Sequence, residues 1–301
     1  MGRTAESGID ILCIGAVLWD VIGRAAGRMR PGADVPGRIV RQPGGVALNI
    51  AMALRRFGMR PALLGAIGRD AAGDALRALC AQRGVDTRHL LRPPGLPTDI
   101  YMALEDEGGL VGAIADARSL ESVGEAILRP LRDGTLGDAR APYAGIVALD
   151  GNLSEALLAG IAADPCFARA ELRLAPASPG KAERLRPLLS HPGVTLYANR
   201  EEAGILCRRR FTGAREAALA LLETGVRRAL VTDGGAPVAD AGAEGVIVAP
   251  ARKVPLARVT GAGDTFMAAH IAAETGGAGR AGALDAALRA AAEHVSGEAE
   301  P

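Results

Sequence analysis

Residues 61–84 read PALLGAIGRDAAGDALRALCAQRG, and the way this stretch divides decides the fold class. Pro61–Ile67 is a short apolar run with the length of a buried strand. Gly73–Arg83 instead carries helical period and is followed by Gly84, in the position where a glycine ends a helix. Upstream the same couplet occurs again: Ile11–Val17 predicts a strand, and Ala47–Phe57, closed by Gly58, a helix. Downstream, Gly145–Leu149, Glu171–Leu174, Val194–Tyr197 and Arg228–Val231 are further buried-strand runs, most of them separated by helical stretches. Strands alternating with helices of this length form βαβ units, so the expectation is an α/β fold with a mostly parallel sheet covered by helices on both faces. The rhythm holds from residue 9 to about residue 296 as one domain, and residues 297–301 are expected to be a disordered tail.

Two stretches break this rhythm. Residues 19–43 contain Gly, Pro and Arg without helical period, and residues 99–118 read as a hairpin turning at Glu107-Gly108-Gly109. Together they predict a small extra sheet beside the core; ordinary surface excursions are the plainer reading and stay open.

Composition narrows the function classes. A chain of 301 residues with 49% hydrophobic content buries one large core, and 35 basic against 34 acidic residues leave a net charge of +1. That balance lacks the clustered basic excess of a nucleic-acid binder. Cys13, Cys80, Cys166 and Cys207 are scattered, as are His89, His191, His270 and His294, which favours a reduced protein over a disulfide framework or a zinc site. The opening MGRTAESGID has no signal-peptide core and no window is apolar enough for a membrane span, so a soluble cytoplasmic protein is expected.

The chemistry concentrates in Val259-Thr260-Gly261-Ala262-Gly263-Asp264-Thr265-Phe266, which leads into the apolar run Met267–Glu274. A glycine-rich turn entering a helix leaves the first backbone N–H groups without partners, and with the helix dipole they form an anion site. Asp264 beside such a site is unfavourable for a plain phosphate binder. It makes sense as a base that takes a proton from an attacking hydroxyl while Gly261, Ala262 and Gly263 hold the developing phosphoryl charge. The motif alone fits equally a simple cap, with Thr260 closing the helix end and Asp264 favoured in the first turn. There is no G-x-x-x-x-G-K-[ST] loop, and TGAGDT lacks the third glycine and the early position of a dinucleotide fingerprint.

Five motifs in order resemble the ribokinase, or PfkB, family along nearly the whole chain: Pro43–Asn49 (PGGVALN), Gly65–Gly73 (GAIGRDAAG), Asn199–Glu202 (NREE), Thr232–Gly235 (TDGG) and Thr260–Asp264 (TGAGD). The resemblance implies a three-layer α/β/α sandwich whose inserted β segments, 19–43 and 99–118, form a lid that often pairs between subunits, hence a homodimer. It implies ATP and Mg²⁺ as cofactors and a sugar or nucleoside hydroxyl as acceptor. Asp264 would be the base; Asp20, Gly44, Gly45 and Asn49 would meet the acceptor; Asn199, Glu202, Thr232, Gly234, Gly235 and Thr260 would serve the nucleotide. Glu202 would act on magnesium through water, because that ion keeps most of its hydration shell.

Within the family, Thr98–Asp116 is similar to the lid hairpin of the pseudouridine kinase branch. That implies Asp116 as an acceptor for a uracil-like base and Trp19 or Tyr101 as its stacking partner. A sugar kinase acting on ribose, fructose or a keto-deoxy sugar acid is the alternative, and a non-catalytic binder the second. Leu18 replaces a sugar-contacting asparagine, and Val46 and Leu48 replace Lys and Ala, which argues against ribose itself. Arg258 stands where many members carry an aspartate for an activating monovalent cation, so weak or absent potassium activation is expected.

Overall fold

The apolar runs pair as strands because each can bury both faces between helices, and the computed structural model, which describes residues 8–32, 34–258 and 260–298, shows how. β1 (Ile11–Ile14), β4 (Pro61–Leu64), β7 (Ile146–Asp150), β8 (Glu171–Ala175), β9 (Thr195–Asn199) and β10 (Arg228–Asp233) are parallel neighbours in the order β10-β9-β8-β7-β1-β4. All six coincide with predicted strands. An antiparallel ribbon, β11 (Ala236–Gly242) and β12 (Gly245–Ala249), extends the β10 edge, making this a sheet of eight strands among the described residues.

Alternate strand residues feed two cores. Leu12 and Ile14 face one side, with α3 (Arg118–Val123), α4 (Glu155–Ala163), α5 (Arg200–Cys207) and α6 (Ala214–Leu222). Ile11 and Cys13 face the other, with α1 (Val46–Arg56), α2 (Ala71–Gln82), α7 (Ala262–Thr275) and α8 (Arg280–Ser296). This is the expected three-layer sandwich. Helix α8 ends at Gly297 in the left-handed conformation, and the remainder of the expected tail, 299–301, lies outside the described residues. No helix among the described residues is long and apolar enough to cross a membrane.

The two irregular stretches form a separate sheet. β2 (Leu18–Ala25), β3 (Gly37–Gly44), β5 (Ile100–Asp106) and β6 (Gly109–Asp116) lie in the order β3-β2-β5-β6. Its root is latched to the core by Asp70, the N-cap of α2. That carboxylate accepts from Gly73 N at 2.8 Å, Thr98 N at 2.8 Å and Thr98 Oγ1 at 2.6 Å. The GAIGRDAAG motif is therefore a joint between helix and lid.

Candidate active site

The candidate residues of the core lie at the C-terminal ends of the parallel strands, the crevice where open α/β sheets bind ligands. The connection after β1 supplies Ala16, the end of β7 supplies Asp150, and the ends of β9 and β10 place Asn199 beside Thr232. Gly234, at φ 57°, and Gly235 form the exposed β10–β11 turn next to that pair.

The TGAGD segment enters α7 as expected. Gly261, at φ 85°, is the N-cap, a left-handed conformation that disfavours other residues, and the first helical bond runs from Thr265 N to Gly261 O at 2.9 Å. The N–H groups of Ala262, Gly263 and Asp264 thus have no carbonyl a turn behind them. Val259, the first residue of the segment, lies outside the described residues.

Asp264 is partly accessible yet largely enclosed, and its pKa is pushed up to about 7. Desolvation is the main cause; the negative charges of Asp150, Asp20 and Glu202 add to it, and one hydrogen bond opposes it. That bond comes from Asn49, whose Nδ2 donates to Asp264 Oδ2 at 3.0 Å and fixes the carboxylate with its other oxygen unclaimed by that donor. Asn49 can do this because α1 packs on α7.

Asp20 is 8% exposed with a pKa raised to about 6, again through burial. Its neighbour in the packing is Gly44, where a Cβ would run into the Asp20 carboxylate, while Gly45, at φ 92°, lies against the Ala16 carbonyl. The glycine pair therefore lets α1 close onto the chain's own acid and backbone, a nearer reason than the approach to a ligand that the sequence suggested.

Asn199 and Glu202 form a reciprocal cap at the start of α5: Asn199 Oδ1 accepts from Glu202 N and Glu202 Oε2 accepts from Asn199 N, both at 2.9 Å. Glu202 is buried, and burial raises its pKa.

Two expectations for the small sheet, Trp19 as a stacking partner and Asp116 as an acceptor for a base, need correction. Strand register pairs Asp20 with Tyr101, and sets Ile100 between Trp19 on one side and Asp116 on the other. Side chains of successive rows point to opposite faces, so Trp19 and Asp116 lie on the face away from Asp20 and Tyr101. Trp19 is moreover buried, its Nε1 donating to Ala72 O at 2.9 Å and its ring covered by Arg41 at 4.1 Å. Both Asp116 oxygens are taken by Arg118, at 2.7 and 2.8 Å. Tyr101 alone of the three shares a face with Asp20.

Two residues escaped the sequence reading. Asp150 is fully buried and accepts from Ala16 N at 3.0 Å, Ala47 N at 2.9 Å and Asn152 N at 2.8 Å, tying β1 to the start of α1 from 103 residues away. Burial raises its pKa in spite of these donors. Lys181 Nζ donates to Asn152 Oδ1 at 2.6 Å, and burial lowers its pKa. It places a cation near Asp150 in a region otherwise rich in carboxylates. That Lys181 is one of only two lysines in the chain was the available signal.

The whole described core is matched by the model of the pfkB family carbohydrate kinases, over residues 9–299. The pseudouridine kinase of Escherichia coli strain K12 is 31% identical over 272 residues, 86% of this chain and 81% of its own. The bifunctional protein HldE of Hyphomonas neptunium is 30% identical over 94% of this chain, which spans 59% of that longer protein. Among solved structures, a ribokinase from Thermotoga maritima superposes with a TM-score of 0.76 at 22% identity, covering 96% of this chain and 93% of its own. A carbohydrate kinase from Agrobacterium tumefaciens gives 0.76 at 27% identity, covering 94% and 90%. With a glycine-capped helix start whose first N–H groups have no helical partner, an enclosed carboxylate beside it and this match from end to end, the chain belongs to the pfkB family of carbohydrate kinases, phosphotransferases acting on a sugar or nucleoside hydroxyl.

Proposed function

We propose that this kinase transfers the γ-phosphoryl group of ATP to the 5′-hydroxyl of pseudouridine. The observation that carries the chemistry is Asp264: a carboxylate with a pKa near 7, held by Asn49 at the open end of α7. A base titrating near the working pH takes a proton most effectively, so Asp264 deprotonates the acceptor as its oxygen attacks phosphorus. The N–H groups of Gly261, Ala262 and Gly263 receive the charge on the transferred group, and Lys181 adds a positive charge from the β8 side.

Asn199, Thr232, Gly234, Gly235 and Thr260 serve the nucleotide. Magnesium fits the donor set in its hydrated form. No three acidic, His or Cys side chains converge as ligands among the described residues, and Glu202, with Oε2 committed to Asn199, offers its remaining oxygen to a bound water. When bound, the ion neutralises phosphate charge.

For the acceptor, Asp20 and Asn49 take the ribose hydroxyls and Tyr101 takes the base. The nucleoside assignment is supported by the pseudouridine kinase relative and by buried Leu18, which removes a hydrogen-bonding position expected of a free-sugar site. Arg258 makes potassium unnecessary. The exposed apolar side chains Ile39, Met102, Leu104 and Ile114, which register places on one face of the lid, pair with a second copy of the chain.

The test is ADP release with pseudouridine, uridine, adenosine, ribose, fructose and 2-keto-3-deoxygluconate, in potassium and in sodium buffers. Pseudouridine turns over best, at equal rates in both salts. Good turnover of a free sugar without pseudouridine turnover replaces the acceptor, and a large potassium activation removes the role given to Arg258.

A further inference from the structure

His294, near the end of α8, touches neither a cofactor nor the acid cluster, yet it is 8% exposed and packed against the turn that begins α7. Its Nε2 lies 2.8 Å from the Thr260 carbonyl oxygen. A carbonyl only accepts, so Nε2 carries the proton, and Nδ1 must accept. Two donors meet that nitrogen: Arg258 NH2 at 3.1 Å and Thr265 Oγ1 at 3.2 Å. The carbonyl of the next residue, Val295 O, accepts from Ala257 N at 2.9 Å and Arg258 N at 3.0 Å. The end of α8 therefore grips Ala257, Arg258 and Thr260 on one side of Gly261 and Thr265 on the other.

In a trans peptide the carbonyl and the following N–H point in opposite directions. Holding the Thr260 carbonyl on His294 consequently turns the Gly261 N–H away from α8. The imidazole lies 3.2 Å from where a Cβ on Gly261 would stand, so the ring also sets how far the turn can fall back.

Resting on the phosphotransfer reading above, we propose that His294 is a positioning residue that sets the direction of the amide donors at the start of α7, and that it does so only as the neutral Nε2–H tautomer, with Arg258 as the cation that reads its free nitrogen. Protonation puts a hydrogen on Nδ1, facing the Arg258 guanidinium, and releases the loop. The charged groups facing the ring are Arg258 from the loop and Arg56 from the end of α1; α7 presents only the Thr265 hydroxyl. Burial and both arginines keep the ring below the ordinary histidine range.

The experiment is a comparison of His294→Leu and His294→Gln by steady-state kinetics, pH profile and thermal melting, with ¹⁵N NMR of the wild-type imidazole. His294→Leu lowers kcat about 10- to 100-fold at nearly unchanged acceptor KM, the scale of a misdirected transition-state donor. His294→Gln, whose amide reaches the Thr260 carbonyl, recovers most of it. On acidification, log kcat of the wild type reaches a limiting slope of two, for Asp264 and His294, and that of His294→Gln a slope of one. NMR finds the Nε2–H tautomer, with a pKa below that of an ordinary histidine. An Nδ1–H tautomer, protonation at or above the ordinary histidine pKa, or an unaltered kcat in a folded His294→Leu overturns the proposal. An intact tautomer in a protein that phosphorylates no acceptor supports the clamp and defeats the kinase reading instead.

Discussion

Helix α7 has a polar cluster at each end, and the two are built on opposite principles. At its start, Asp264, Asp20, Asp150 and Glu202 share one region in which burial raises every one of their pKa values. At its other end, Glu274 and His270 join Arg228, Asp240, Arg280 and Tyr197 in a network where cations face the acids. Arg228 binds Asp240 at 2.6 Å and also contacts Glu274, while Arg280 reaches Asp240 at 3.1 Å. Burial raises the Asp240 pKa less than these guanidinium partners lower it, so it sits below the ordinary value; His270 is driven by burial down to about 4 and remains a neutral acceptor and donor. One end therefore holds buried carboxylates without a guanidinium partner, and the other pairs its acids with arginines. The lesson is that buried charge identifies a working site when it is left unpaired, not when it is abundant.

The comparison breaks most sharply at Asp264. Asp264→Asn is expected to lower kcat by about 10³-fold or more while ATP still binds, as measured by coupled ADP release and calorimetry. The same change should leave the protein more stable above pH 7, because it removes a buried charge. The sign follows from linkage. A carboxyl raised from 3.8 to about 7 contributes stability that is fully present below 3.8 and is lost as pH rises through 7. Wild-type melting temperature should therefore climb on acidification across that window by more than that of Asp264→Asn, and parallel curves would contradict the unpaired state of this acid.

At the opposite end the expectations invert. Arg228→Met removes the 16%-exposed guanidinium that bridges Asp240 and Glu274, leaving Asp240 to Arg280, and should cost about 3 kcal/mol of stability by urea unfolding. Its kcat at low temperature should stay within about twofold of wild type, since the network lies at the far end of α7. A large loss of kcat without loss of stability would join the two clusters functionally. The smallest effect is expected at the lid: Ile114→Asp, at a position 72% exposed, should convert a dimer to a monomer in sedimentation velocity with modest change in kcat. A wild-type monomer at micromolar concentration would remove the lid interface.

Much of the fold was legible because its signals are local. Pro61–Ile67 and Gly73–Arg83 differ in length and period, and β4 and α2 form within a few residues of those limits. The hairpin turn at Glu107-Gly108-Gly109 falls between β5 and β6 as read. Trp19 and Asp116 were misplaced because an aromatic and an acid near a binding strand say nothing about which face of the pleat they occupy; register decides that, and register depends on partners far along the chain.

The amino-acid sequence by itself determined the α/β alternation and the helix start at Gly261 with its acid three residues on, since period, glycine conformation and dipole act over one or two turns of chain. Only the tertiary structure decided that Asn49 would orient Asp264 across 215 residues, that Asp150 would hold the start of α1, and that His294 would grip the Thr260 carbonyl. Those bonds join elements brought together by packing on the sheet, and their free energy depends on burial and distance that no single segment contains.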